Sequence, residues 1–283
     1  MAVNQKAITD PGPTGPLEPT GAPTTFSDRI REAIDRNELR LAYQPQADVH
    51  TGRLTGFEAL SRWRLDDGTV IPPDVFIPMA ETSDAINVLG EWVLRRACET
   101  AARWMREGIA DLPVAVNLSA RQLDDPGLAR MVLGILAETG LPAANLKLEL
   151  TETALFEHTD SSREVLMQLR GAGVRLVLDD FGTGYSSLAL LRRVPVEALK
   201  IDKHFTQAMV DDRDAAAIVH AIIDLAHALD MQVIAEGVET NDQLLFLRAY
   251  RCDRIQGYLL AKPLPEDEIP TFIQQRAEPP TGG

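Results

Sequence analysis

The chain has 283 residues, 45% of them hydrophobic and 25% charged, so it can bury a large core as one α/β barrel or as two small domains. Its 28 basic and 42 acidic residues give a formal charge of −14 without a basic stripe, which argues against duplex nucleic acid as a partner. Cys98 and Cys252 lack metal-ligand spacing, and no apolar stretch approaches the roughly 20 residues of a membrane span. The first residues, "MAVNQKAITD", lack the apolar core of a signal peptide. We therefore expect a soluble cytoplasmic protein.

The two ends of the chain differ in composition from its middle. Residues 9–25 contain five prolines among Gly and Thr, and the tail "AEPPTGG" is similar, which favours extended chain over a packed core. We therefore expect disorder over 1–25 and 276–283, and one folded domain over 26–275. A unit of about 250 residues is the usual size of a (β/α)₈ barrel.

The predicted elements begin with a helix and a hairpin. Ser27 is the predicted N-cap of a helix that ends near Arg36. The segments "LRLAYQPQADV" (39–49) and "RLTGFEALSRW" (53–63) are extended and are joined by "HTGR", as in a β-hairpin. The hairpin implies one antiparallel pair of strands.

Short strands then alternate with amphipathic helices along the rest of the chain. The predicted strands are "PVAVNLS", "LKLEL", "VRLVLDD", "ALKID" and "MQVIAEG". The predicted helices cover 83–108, 120–138, 160–171, 212–229 and 240–249. This alternation predicts an α/β fold with a parallel sheet covered by helices.

Polar residues stand at the end of nearly every predicted strand. They are Glu58, Asn117, Glu149, Asp179, Asp180, Lys200, Asp202 and Glu236. In a parallel barrel the C-terminal ends of the strands share one face, so these side chains would form one cluster. Clustered carboxylates repel each other unless cations neutralise them, and oxygen ligands without His or Cys indicate Mg²⁺ or Mn²⁺. Two ions roughly 3.5–4 Å apart can share a carboxylate, so Asp179 would bridge them and Asp180 would complete the second.

Each of these residues also has a plainer interpretation. A single acid after a strand is more often a helix N-cap or a solvated loop residue, and only the complete set favours a site. Asn117-Leu-Ser could be a glycosylation acceptor, but without an export signal an amide ligand fits better. The histidines show no ligand spacing and receive no role.

The sequence resembles an EAL domain, the family of cyclic di-GMP phosphodiesterases, from about Phe26 to Ile273. The family is named for the stretch that is Glu58-Ala59-Leu60 here. The further matching motifs, in the family's order, are "YQP" (43–45), "VFIPMAE" (75–81), "NLSARQL" (117–123), "LELTE" (148–152), "DDFGTGYSSL" (179–188), "LKID" (199–202), "AEGVET" (235–240) and "CDRIQGYLLAKPLP" (252–265). The match is dense and specific.

The resemblance implies a TIM-like barrel whose first strand is antiparallel to the rest, which agrees with the hairpin. It implies that the first metal is bound by Glu58, Asn117, Glu149 and Asp179, and that Asp179, Asp180 and Glu236 surround the second metal and the attacking water. It places Lys200 beside that water, where an ammonium can offset developing negative charge. Asp202 would orient the lysine or the second metal, and Glu239 would support the site without binding metal.

The resemblance also assigns a loop anchor and the contacts with substrate. Glu152 corresponds to the glutamate that holds the "FGTGYSS" loop (181–187), in which Gly182 and Gly184 allow tight turns. Gln44 and Gln256 match positions that contact the dinucleotide. Arg62 either faces a phosphate or pairs with a neighbouring carboxylate. Gln46 stands where the family often has an apolar residue, and we expect this departure to affect only the shape of the pocket entrance.

The activity implied by the resemblance is hydrolysis of cyclic di-GMP to linear 5′-pGpG with two Mg²⁺ or Mn²⁺ ions. Ca²⁺ would occupy the site and inhibit. A homodimer, formed through elements beside the "FGTGYSS" loop, is also expected. One alternative is a cyclic di-GMP receptor or scaffold, a role that members lacking metal ligands have. Another is a metal-dependent barrel hydrolase that acts on a different phosphodiester.

Overall fold

The structure is a computed structural model that describes residues 25–152, 154, 160–182, 191 and 195–277. The Pro-rich segment 1–24 and residues 278–283 of the expected tail lie outside the described residues. Residues 183–187, which make up most of the "FGTGYSS" loop, also lie outside them.

The strands among the described residues form one sheet that closes on itself. They are β1 (Leu39–Asp48), β2 (Leu54–Arg64), β3 (Val70–Ile71), β4 (Val114–Leu118), β5 (Leu146–Thr151), β6 (Arg175–Phe181), β7 (Ala198–Ile201), β8 (Gln232–Ala235), β9 (Arg254–Gln256) and β10 (Leu264–Pro265). The barrel order is β1-β2-β4-β5-β6-β7-β8-β9, and β9 pairs with β1 to close it. Strand β1 is antiparallel to both β2 and β9, whereas the pairings from β2 through β9 are parallel. The predicted barrel with one antiparallel first strand is confirmed.

The helices pack on the outside of this barrel. They are α1 (Phe26–Asp35), α2 (Pro73–Glu81), α3 (Ala85–Arg106), α4 (Ala120–Leu123), α5 (Leu128–Thr139), α6 (Asp160–Gly171), α7 (Lys203–Ala208), α8 (Arg213–Ala228), α9 (Asn241–Ala249) and α10 (Ile269–Ala277). No helix within the described residues is both long enough and apolar enough to cross a membrane.

Two details of the predicted helices are wrong. Helix α1 is capped by Thr25, whose side chain accepts from the Asp28 N–H, and not by Ser27. The predicted helix over 120–138 is split into α4 and α5, because Pro126 cannot continue a helix and Asp125 turns the chain by accepting from the Gly127 N–H at 2.7 Å.

The barrel interior changes in polarity from its middle to its C-terminal face. Val177, Ala198 and Ile234 form a small apolar cluster separate from the main core, which lies between the strands and the helices. Because side chains alternate along a strand, the residues two positions further on share the same inward face. These residues are Asp179, Lys200 and Glu236, so the fold itself delivers them to one end of the barrel.

The end of β9 is fixed by close contact with the chain that follows β8. Val238 N donates to Gln256 O at 3.1 Å, and Leu259 N donates to Val238 O at 2.9 Å. A Cβ atom on Gly257 would lie 2.2 Å from Val238 O, so only glycine allows this approach. The contact determines where the Gln256 side chain enters the barrel.

We expect Gly257→Ala to lower the free energy of unfolding by about 1–3 kcal/mol or more, because the methyl group must displace backbone. The matched control is Gly134→Ala in α5, where nothing lies within 4 Å of the added atom and the helix should gain about 0.5–1 kcal/mol. Denaturant titration of both variants measures the difference. Equal stability of the two would contradict the close contact at Gly257.

Candidate active site

Lys200 occupies the centre of the polar end of the barrel. Its side chain is fully buried, and its Nζ atom contacts a carboxylate from each of four strands or strand ends. The distances are 2.7 Å to Glu236 Oε1, 2.8 Å to Glu149 Oε2, 3.2 Å to Asp179 Oδ2 and 3.3 Å to Glu58 Oε2. These carboxylates raise the pKa of Lys200 well above its usual range although burial alone would lower it. The ammonium is therefore charged.

Glu58 receives the most donors of the acids in this cluster. Asn117 Nδ2 donates to its Oε1 at 2.7 Å, and Gln256 Nε2 donates to its Oε2 at 2.5 Å. Burial raises the pKa of Glu58, but Lys200 and the two amides more than offset this, so the pKa lies below its usual value. Glu58 is thus held as a carboxylate.

The remaining acids have raised pKa values. Burial is the main cause for all of them, and the neighbouring acids add to it. The pKa of Glu149 is well above its usual range, that of Asp179 is raised, that of Asp180 is raised to about 6 and that of Glu236 to about 8. One ammonium does not balance this many carboxylates, so the cluster favours additional cations.

The donor set fits divalent metal ions. Asp179, Asp180 and Glu236 each offer a carboxylate oxygen, and these atoms lie within 4.8 Å of one another. Glu149 Oε1 is buried without a hydrogen-bond partner among the described residues, so this oxygen is available as a ligand. Carboxylate and amide oxygens are the ligands preferred by Mg²⁺ and Mn²⁺.

The backbone at the paired acids turns sharply. Asp180 has φ 54°, in the left-handed region, and its N–H donates to Asp179 Oδ1 at 2.9 Å. The side chain of Glu152, directly after β5, accepts from Gly182 N at 3.4 Å. The predicted contact between Glu152 and the start of the loop after Asp180 is therefore present.

The residues expected to contact substrate surround the cluster. Gln256 Nε2 donates to Gln44 Oε1 at 3.1 Å, so these two amides form a pair beside Glu58. Asp202 caps α7 by accepting from His204 N at 2.8 Å, and it raises the pKa of Asp180. This is the plainer N-cap role that the sequence left open.

Arg62 is half-buried at the rim of a cavity of about 610 Å³ that also reaches Asn117 and Asp180. Its Nη1 donates to Ser61 O at 2.8 Å, and within the described residues no carboxylate lies at ion-pair distance from it. The alternative in which Arg62 pairs with a neighbouring carboxylate is not observed. Glu239 accepts from Gln207 Nε2 at 3.2 Å and, within the described residues, is not among the carboxylates that contact Lys200.

The structure corrects the expected place of Gln46 and adds Lys147, a buried residue that the sequence analysis did not identify. Gln46 does not lie at the pocket entrance, because it is 0% exposed inside the barrel and donates to Gln256 Oε1 at 2.9 Å. Lys147, only 1% exposed, donates to Gln46 Oε1 at 3.4 Å. The available signal was the alternation of β5, since Lys147 precedes Glu149 by two positions and shares its face.

A comparison with protein families and curated sequences gives a consistent result. A family model described as "EAL domain" matches residues 27–263. The chain is 42% identical over 240 residues to the bifunctional diguanylate cyclase/cyclic di-GMP phosphodiesterase MucR of Pseudomonas aeruginosa, covering 85% of this chain and 35% of the relative. It is 42% identical over 249 residues to the cyclic di-GMP phosphodiesterase NbdA of the same species, covering 88% and 32%. The chain thus spans about a third of the length of these relatives.

Two solved structures match over nearly their whole length. The PaMucR phosphodiesterase in complex with c-di-GMP superimposes with a TM-score of 0.82 and 41% identity, covering 86% of this chain and 99% of that one. The EAL domain of Mycobacterium smegmatis DcpA gives a TM-score of 0.72 and 36% identity, covering 84% and 97%.

The raised pKa values predict that a rise in pH lowers the Tm of the metal-free protein and increases the Tm gain from bound metal. Protonated Asp180 and Glu236 stabilise the fold, and this stabilisation is lost as pH rises through about 6 and about 8 respectively, because the folded state must then ionise. We expect the Tm of metal-free protein to fall between pH 5 and pH 8.5. The Tm gain on adding Mn²⁺ should grow over the same interval, because metal replaces protons.

Scanning calorimetry with and without chelator measures both trends, and Glu236→Gln is the control that should flatten them. A Tm gain from Mn²⁺ that is equal at both ends of the pH range would contradict the exchange of protons for metal at Asp180 and Glu236.

Proposed function

The chain belongs to the EAL domain family, and on this premise we propose that it is a metal-dependent phosphodiesterase that hydrolyses cyclic di-GMP to linear 5′-pGpG. The observation that carries the proposal is the convergence of Glu58, Glu149, Asp179 and Glu236 on one buried ammonium, with Asn117 and Asp180 beside them. The names of the relatives MucR and NbdA support the same activity. We take residues 26–275 as the catalytic domain.

Two groups of residues would hold the metal ions, Mg²⁺ or Mn²⁺. Glu58, Asn117, Glu149 and Asp179 would bind one, and Asp179, Asp180 and Glu236 would bind the other. Bound there, the ions would activate a water and neutralise the charge of a dianionic substrate. Without such cations a cluster of carboxylates would repel that substrate.

Side chains of the protein would position the attacking water and the phosphoryl group. Lys200 would donate to the attacking water and to a phosphoryl oxygen, since its ammonium is charged and centred among the ligands. Glu236, at 2.7 Å from Lys200 Nζ, would orient that ammonium and accept a proton from the water. Glu152 would act indirectly, by holding Gly182 and hence the loop that follows Asp180.

The cavity beside the cluster is the proposed entrance for the dinucleotide. Its volume of about 610 Å³ lies between Arg62, Asn117 and Asp180. Arg62 has no carboxylate partner among the described residues and would donate to a phosphate. Gln44 on β1, Gln256 on β9 and Asp202 at the N-terminus of α7 would contact the substrate.

A cyclic di-GMP receptor without catalytic activity is the second candidate function. The complete set of ligand positions disfavours it, because family members that became receptors have lost such residues. We also propose a cytoplasmic location, consistent with Cys98 and Cys252 being free and buried, and a homodimer, which light scattering would test.

The first test is incubation of the protein with cyclic di-GMP and Mn²⁺, followed by chromatography of the products. We expect 5′-pGpG from the wild type. Glu58→Gln should reduce kcat at least about 100-fold, because the amide replaces a charged ligand. Glu164→Gln, at an exposed position of α6, is the matched control and should be fully active. Substrate binding without product in Mg²⁺ and in Mn²⁺ would move the chain to the receptor class.

Ca²⁺ should bind at the site without supporting hydrolysis. It takes 6–8 oxygens at about 2.3–2.6 Å, whereas Mg²⁺ holds near-octahedral ligands at about 2.0–2.1 Å, so a bound water would be less polarised and displaced from the line of attack. Calorimetric binding of cyclic di-GMP in Ca²⁺, paired with product formation in Ca²⁺ and in Mg²⁺, measures both properties. Rapid hydrolysis in Ca²⁺ alone would refute the geometric argument.

A further inference from the structure

A chain of buried hydrogen bonds runs through the barrel interior towards the candidate metal site. Lys147 Nζ donates to Gln46 Oε1 at 3.4 Å, and Gln46 Nε2 donates to Gln256 Oε1 at 2.9 Å. Gln256 Nε2 then donates to Glu58 Oε2 at 2.5 Å and to Gln44 Oε1 at 3.1 Å. We call Lys147, Gln46, Gln256 and Glu58 the relay.

Every member of the relay is shielded from water. The exposed fractions of Lys147, Gln46, Gln256 and Glu58 are 1%, 0%, 3% and 4%. Within the described residues, Gln46 is the only hydrogen-bond acceptor of the Lys147 ammonium. A buried ammonium is costly unless it is hydrogen-bonded, so Lys147 depends on the Gln46 oxygen.

Gly56 on β2 leaves the space in which Lys147 and Gln46 meet. A Cβ atom there would lie 3.5 Å from Lys147 Nζ and 3.6 Å from Gln46 Oε1, and 2.9 Å from Pro113 O. The added atom would be too close to Pro113 O and in ordinary contact with Lys147 and Gln46, so position 56 has no room for a side chain beside the first hydrogen bond of the relay.

The two ends of the relay fix the direction of every bond between them. Lys147 can only donate, and the Glu58 carboxylate can only accept. An amide could otherwise present either its oxygen or its nitrogen to a neighbour. With its oxygen held by Lys147, Gln46 turns its nitrogen to the Gln256 oxygen. Gln256 must then turn its nitrogen to Glu58, since the reversed amide would place its oxygen against a carboxylate oxygen.

We propose that Lys147 is a positioning residue of the metal site, which acts through Gln46 and Gln256 to hold the Glu58 carboxylate in its ligating orientation. Its effect on hydrolysis rests on the proposed function, whereas its effect on metal binding does not. Hydrogen bonds that orient metal ligands commonly change metal affinity or activity by about 10–100-fold.

The first test is Lys147→Met, which keeps most of the side-chain length and removes the donor. We expect the Kd for Mn²⁺, measured by calorimetry, to rise about tenfold or more, and kcat/KM to fall by a similar factor. The control is Ile223→Val in α8, a fully buried position outside the relay, which should lose some stability and keep wild-type Mn²⁺ affinity.

A second variant separates the direction of the relay hydrogen bonds from the packing of its side chains. Gln46→Glu is nearly isosteric and keeps an acceptor for Lys147, but it removes the donor to Gln256. A purely structural role for Lys147 and Gln46 predicts unchanged Mn²⁺ binding. The relay predicts Mn²⁺ binding about tenfold weaker, because the new carboxylate and Glu58 would compete for the Gln256 nitrogen.

The double variant Lys147→Met/Gln46→Leu covers the case in which a single variant does not fold. Replacing both partners by apolar groups leaves no unsatisfied donor, so the double variant should fold and still bind Mn²⁺ about tenfold more weakly. Wild-type Mn²⁺ affinity in the folded variants would overturn the relay. Weaker Mn²⁺ binding in them, with no hydrolysis of cyclic di-GMP by any protein including the wild type, would support the relay and refute the proposed function.

Discussion

The structure depends on burying several carboxylates around one ammonium at the C-terminal face of a closed barrel. Lys200 alone contacts four of them, and together with Asp180 they bring five formal negative charges against one positive charge when ionised. Such a cluster is unfavourable in isolation, and the fold tolerates it because some acids remain protonated and because amides donate to Glu58. The same imbalance makes the site attractive to divalent cations.

The parts of the fold that follow from periodicity were predictable from the sequence. The hairpin, the alternation of strands and helices, and the collection of strand-end acids on one face all depend on local patterns of two or about 3.6 residues. Helix α2 escaped notice because prolines occur at its start and at Pro78 within it, which normally indicates a break. The division between α4 and α5 was missed because the amphipathic pattern continues across Pro126.

The candidate site was predictable as a set of residues, but its contacts were not. Side-chain directions decide which carboxylates contact Lys200, and they leave Arg62 without an acidic partner in the described part of the chain. Residue spacing in the sequence does not encode these directions. Gln46 was expected to affect only the pocket entrance, as a departure from the family's apolar residue, because the sequence does not show which side chains it meets inside the barrel. Lys147 received no role from the sequence, although the alternation of β5 puts it on the same face as Glu149, because its partner Gln46 comes from a distant strand.

The closing strand β1 pairs on one side with β2, its neighbour in sequence, and on the other with β9 and β10 from the far part of the chain. Gln44 and Gln256, which meet beside Glu58, are separated by 212 positions. During synthesis, therefore, the edge of β1 that pairs with β9 and β10 stays unpaired until almost the whole domain has been made. Because long-range pairing slows folding, barrel closure is the expected late step, and an exposed β1 edge is where a nascent chain is most open to mispairing.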